Sequence, residues 1–154
     1  MHRFVVILLG LALVSLTACS TGRSGGNITK VLPHWLDQQG RHALSASLFE
    51  RDAYQAHLRD HPEERGGLRY DVHWRASRKG DPEYRLEVQV RTMGRSMDEP
   101  LVVTETVKDP PFWGRWSGLL VGETALREAG DPVAWRVTLW DGSELLDEER
   151  SFLW

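Results

Sequence analysis

One cysteine, Cys19, is all the thiol chemistry this chain has, so no disulfide can form within it and the fold must stand on its core. No apolar run reaches the roughly 20 residues that a spanning helix needs; the longest, from Phe4 to Leu16, holds about 13. Basic charge is not in excess, with 19 Lys and Arg against 22 Asp and Glu. A nucleic-acid partner, which needs a basic patch to neutralise phosphates, is therefore not expected. Two catalytic signatures are also missing. There is no phosphate-cradling glycine loop, and the spelling Gly-x-Ser-x-Gly occurs only at Gly22 to Gly26, in a polar stretch rather than between a strand and a helix, so there is no nucleophile elbow. What remains is 41% hydrophobic and 27% charged, the balance of an ordinary globular domain.

The apolar run ends in Leu16-Thr17-Ala18-Cys19, preceded by a short polar start at His2 and Arg3. This stretch resembles a bacterial lipobox. The resemblance implies that residues 1–18 are a leader removed on export and that Cys19 is acylated on its sulfur and then on its new amino terminus. Two or more chains at about 0.8 kcal/mol per buried methylene anchor a protein stably in a bilayer, whereas one chain does not. Ser20 stands where an Asp would resemble the inner-membrane retention signal of Gram-negative lipoproteins, which points to the outer membrane. A cell-envelope address is expected, with the lipid bilayer as first partner. Once acylated, Cys19 cannot serve as a nucleophile.

After the leader about 136 residues remain, enough for one domain. From Ser20 to Asn27 there is no apolar residue and there are three glycines; such a tether, residues 19–27 with the cysteine, reaches roughly 15 Å. Residues 28–65 read as an extended N-terminal arm and one short α-helix. Ile28 to Leu36 is apolar with Pro33 inside it, which suits an edge strand or an arm. Asp37-Gln38-Gln39-Gly40 is a turn, and Arg41 to Leu44 a short extended piece. Ser47-x-x-Glu50 is a capping box that opens a helix over Phe49 to Arg59, stopped at Pro62.

Beyond Gly66-Gly67 the period changes to two. Leu68, Tyr70, Val72, Trp74 and Ala76 alternate with Arg69, Asp71, His73 and Arg75, and Tyr84, Leu86, Val88 and Val90 with Arg85, Glu87, Gln89 and Arg91. Lys79-Gly80-Asp81-Pro82 supplies the turn between them. Further strands are expected over Leu101 to Val107, over Phe112 to Val121 with a bend at a glycine, and from Val133 through Leu139. Glu123 to Gly130 suits a helical turn or a loop. Asp141-Gly142 signals a hairpin, but a plain two-residue turn would set Trp135 against Glu148. A longer loop or a bulge near Leu145-Leu146 is therefore expected, with the last strand ending on Ser151-Phe152-Leu153-Trp154. This frame, residues 66–154, is mostly β, an antiparallel sandwich. By strand count, spacing and the final hairpin it resembles an immunoglobulin-like or fibronectin-III-like domain, without the cysteine pair of antibody domains.

His57 and His61 have the i, i+4 spacing of metal ligands on a helix, but Pro62 ends that helix and the pair reads as solvated. No metal or other cofactor is expected. The acidic pairs Asp98-Glu99 and Asp147-Glu148-Glu149 read as solubilising charges in loops or beside turns. Seven tryptophans are mostly core, and Trp113, Trp116 and Trp140, near turns, are expected to pack at the ends of the sandwich. Were their rings accessible, they would be the contacts for a glycan or a protein. A non-enzymatic structural or protein-interaction module is expected, with a peptidoglycan-binding module as the alternative.

Overall fold

A computed structural model describes residues 25–77, 83–108, 110–111 and 113–154. The leader, Cys19, most of the tether, the Lys79–Pro82 turn and Phe112 lie outside the described residues. Seven strands and two helices follow in order. They are β1 (Gly26–Asp37), α1 (Leu48–Asp60), β2 (Arg65–Ala76), β3 (Glu83–Thr92), β4 (Leu101–Lys108), β5 (Arg115–Gly122), α2 (Glu123–Ala129), β6 (Pro132–Asp141) and β7 (Glu144–Arg150), with a 3₁₀ turn at Pro62–Glu64. All pairings are antiparallel, in a three-stranded sheet ordered β1-β2-β5 and a four-stranded sheet ordered β4-β3-β6-β7.

The period-two rows become the two inner faces. Tyr70, Val72 and Trp74 from β2 meet Tyr84, Leu86, Val88 and Val90 from β3 in one core, each at most 1% exposed. Trp74 packs against Tyr84 at 5.8 Å between ring centroids. Its indole N–H donates to Ser117 Oγ at 3.1 Å, which satisfies the buried polar tip.

The segment read as an arm is a strand of the first sheet, paired with β2 along its length. Pro33 is tolerated because β1 lies at the sheet edge. That edge is covered in two places. Near the start of β1, Ile28 N donates to Asp147 Oδ2 of β7 at 2.7 Å. Near its end, Gln55 of α1 imitates a neighbouring strand. Its side-chain oxygen accepts from Trp35 N and its amide donates to Trp35 O, both at 2.9 Å. This explains why the buried face of α1 is Leu58 and a glutamine, while Phe49 stays exposed.

Ser47 caps α1, accepting from Glu50 N at 3.5 Å. The Asp37–Gly40 turn forms, closed by Gly40 N donating to Asp37 O, but Arg41 to Leu44 is not a strand. Asp37 draws it into a loop instead. Its buried carboxylate accepts from Gln39 N, Arg41 N, Arg41 Nε and Tyr54 Oη at 2.7–2.9 Å. Burial alone would raise this carboxyl, but the Tyr54 and Arg41 donors and Gln39 N outweigh it and hold it at about 2, against an ordinary 3.8. With the folded value depressed, the stabilisation is complete above pH 3.8 and is lost as pH falls through about 2. Asp37→Asn is expected to cost about 1–3 kcal/mol at neutral pH and to flatten the stability profile across that window. Urea melts at a series of pH values check it, and an unchanged acid limb would locate the titration elsewhere.

In the final hairpin Asp141 pairs with Glu144 across Gly142-Ser143, Gly142 taking φ +54°. The register then shifts, with Trp140 opposite Leu145 but Leu139 opposite Asp147. Leu146 is the extra residue and is buried, so the expected bulge is present. The last strand does not run to Trp154. After Arg150 the chain turns, because Ser151 N donates to Trp135 O at 2.9 Å and Ser151 O accepts from Trp154 N at 3.1 Å. Glu123–Ala129 is a full short helix. Asp147–Glu149 lies within β7 rather than in a loop.

Because every pairing is antiparallel, turns and termini divide between two ends. The chain enters at one end with Gly25, beside Ser77, Glu83, Lys108 and Gly142. The far end carries α1, α2, the loop from Met93 to Pro100 and the C-terminal turn.

Candidate functional site

The alternation that buries Ser117, Leu119 and Val121 of β5 turns Trp116, Gly118 and Leu120 outward. Trp116 is 51% exposed and Trp113, just before the strand, 71% exposed. The expected packing therefore fails at both positions. The reason was present in the order Trp-Ser-Gly-Leu-Leu-Val, since inward Leu119 and Val121 force Trp116 out.

On this outer face Trp116 lies opposite His73, their rings 5.0 Å apart, and His73 Nδ1 meets Thr29 Oγ1 at 2.5 Å. Two residues along, Arg69 forks onto Asp71 through Nε (2.7 Å) and Nη2 (2.9 Å). His34 Nε2 lies 3.7 Å from the same carboxylate. Burial lowers the His34 pKa below its ordinary 6.5, with Asp71 opposing, so this imidazole is largely neutral at pH 7. Gly118 faces Asp71 across the ladder, and a Cβ there would crowd Arg69 Cδ and Asp71 Oδ1 at 3.3 Å. The face thus offers an indole, a low glycine floor and a carboxylate–guanidinium fork in sequence.

Trp140 is not part of it. It stands on the outer side of the other sheet, half-buried, with its N–H donating to Thr138 Oγ1 at 2.9 Å and the Arg85 guanidinium 5.2 Å from its ring.

Sequence reasoning missed Arg65. Buried at the start of β2, it lies 4.1 Å from the Trp35 ring centroid. It donates from Nε to Leu58 O at 2.6 Å, from Nη2 to Arg59 O, and from Nη1 to Asp131 at 2.8 Å. The first two bonds satisfy carbonyls at the C-terminus of α1. A cleft of about 380 Å³ opens beside it, lined also by Trp35, Glu63, Glu123 and Arg127. Arg65 is consumed structurally and Arg127 pairs with Glu123, which leaves the cleft without a free cation among these residues. No spacing signal marks an arginine that works through backbone carbonyls.

His57 and His61 stack at 4.1 Å. One nitrogen of each is engaged, His57 Nε2 with Glu64 at 2.9 Å and His61 Nδ1 with the His57 carbonyl at 2.9 Å. Among the described residues no group of three His, Cys, Asp or Glu is placed to hold a metal, and no helix is long and apolar enough to cross a membrane. No family model, curated protein or solved structure matches this chain.

Proposed function

We propose that this chain is an envelope lipoprotein, held through acylated Cys19 to the outer membrane, whose sandwich is a non-enzymatic protein-interaction module. Within this reading the sandwich is taken as fibronectin-III-like. The constant-type immunoglobulin order places strands 1-2-5-4 in one sheet and 3-6-7 in the other; here the fourth strand pairs with the third instead.

The observation that carries the interaction reading is apolar surface at the end remote from the anchor. Met93 (76% exposed), Met97, Phe152 (fully exposed) and Leu153 project there. They are held in place. Arg91 donates from Nε to Met97 O at 3.1 Å and its guanidinium lies 4.0 Å from the Trp154 ring centroid, which ties the two segments together. Exposed apolar side chains on a fixed frame are characteristic of a partner surface. A photo-crosslinking residue at Met97 is expected to give a discrete protein adduct in intact envelopes, and Phe152→Ser with Leu153→Ser to abolish it while leaving the melt unchanged. An adduct indifferent to those substitutions would remove this surface from the proposal.

A second reading, glycan binding, is favoured by the row of Trp116, Gly118 and the Arg69–Asp71 fork, since an indole stacks on a sugar ring beside hydroxyl-binding groups. If Trp116→Ala removed pelleting with purified peptidoglycan while the Met97 adduct was absent, this reading would replace the first.

A further inference from the structure

We infer that the entry end of the sandwich is itself a membrane contact, with Trp113 and Trp116 seated in the lipid headgroup layer beside the anchor; this rests on the anchoring reading of Cys19. The entry end is defined by backbone bonds. Ser77 N donates to Gly25 O at 2.8 Å, and Gly26 pairs with Ala76. Trp113 belongs to the same end, in a turn closed by Gly114 N donating to Pro111 O at 3.1 Å, one residue before β5. Gly114 has φ +97°, and a Cβ there would lie 2.9 Å from Trp74 O and 3.2 Å from the His73 ring. The turn therefore lies tight against the end of β2 and fixes the base of Trp113, which is 71% exposed.

Six peptide units separate Cys19 from Gly25, at most about 20 Å of extended chain and less when flexible. The strands above run roughly 30 Å. The entry end is thus confined near the lipid whatever the orientation of the domain, while the far end is free to point away. Indole, with an apolar body and one N–H, partitions to the headgroup level of bilayers. Of the cations near it, Lys108 lies 3.6 Å from Glu83 and Arg115 3.0 Å from Glu105, while Arg75 bonds the neutral Asn27 at 2.6 Å. The two indoles supply the apolar part of the contact. Two tryptophans alone bind a bilayer weakly, but a short tether makes the encounter intramolecular, at an effective concentration in the millimolar range.

The test uses residues 19–154, which contain the whole described fold, coupled through the Cys19 thiol to a maleimide lipid in phosphatidylcholine vesicles carrying bromine near the headgroup. Chemical coupling supplies the tether whether or not a cell acylates Cys19, so this inference and the lipoprotein reading fail separately. Tryptophan emission is expected to be quenched by the brominated lipid, and acrylamide access to fall on coupling relative to the uncoupled protein. Trp113→Ser with Trp116→Ser should lose both effects with the denaturation midpoint unchanged. Acrylamide access that is the same before and after coupling would overturn the inference without recourse to any variant. Bromolipid quenching absent while the double variant loses peptidoglycan pelleting would overturn it in favour of a glycan platform.

Discussion

Val88→Asp is expected to unfold the domain. Val88 is wholly buried at the middle of the inner face of the larger sheet, directly between Val103 of β4 and Val137 of β6. A carboxylate there has no donor in reach, and an unpaired buried charge costs several kcal/mol. Set against a total stability of about 5–15 kcal/mol, that leaves little or no folded population. One residue along, Gln89 points outward and accepts from Arg136 Nη2 at 2.8 Å. An aspartate at position 89 faces the same guanidinium, so Gln89→Asp should shift stability by no more than about 1 kcal/mol. Equal losses in parallel urea melts would mean that the two faces are assigned the wrong way round.

Cys19→Ser is expected to release the protein from membranes entirely while leaving its fold intact. The described fold begins at Gly25, and the proposal assigns retention to the acyl chains alone. Serine offers no thiol to acylate, and the leader would remain or be cut elsewhere. Fractionation with an alkaline wash reads the result directly. A variant that stays with the membrane pellet would end the lipoprotein reading. The same variant melting at a lower denaturant concentration would show that the leader region packs on the sandwich.

The elements legible in advance were those whose side chains obey one rule at a time. The rows Leu68 to Ala76 and Tyr84 to Val90 follow the pleat, and both were buried as read. The bulge at Leu146 was legible because two charged residues would otherwise have faced Trp135 and Leu139. What escaped notice depends on backbone groups far away in sequence. Gln55 bonds the main chain of Trp35, and Arg65 bonds the carbonyls of Leu58 and Arg59, and no periodicity records such pairs. The C-terminal turn was missed for the same reason, since Ser151 ends β7 by bonding Trp135. Trp116 differs for another reason: the pleat, not its nearness to a turn, sets its direction and places it outside.

The chain enters at the foot of β1 and leaves at the head of β7, two strands that run in the same direction. A pull between a membrane anchor and a partner gripping the C-terminal turn is therefore directed along the strands. Antiparallel ladder bonds lie across the strand axis, and β1 is paired with β2 from Gly26 to Asp37. Such a load shears the whole ladder together instead of peeling it bond by bond, a geometry in which a short sandwich resists tension, as the proposed anchor and partner surface would require.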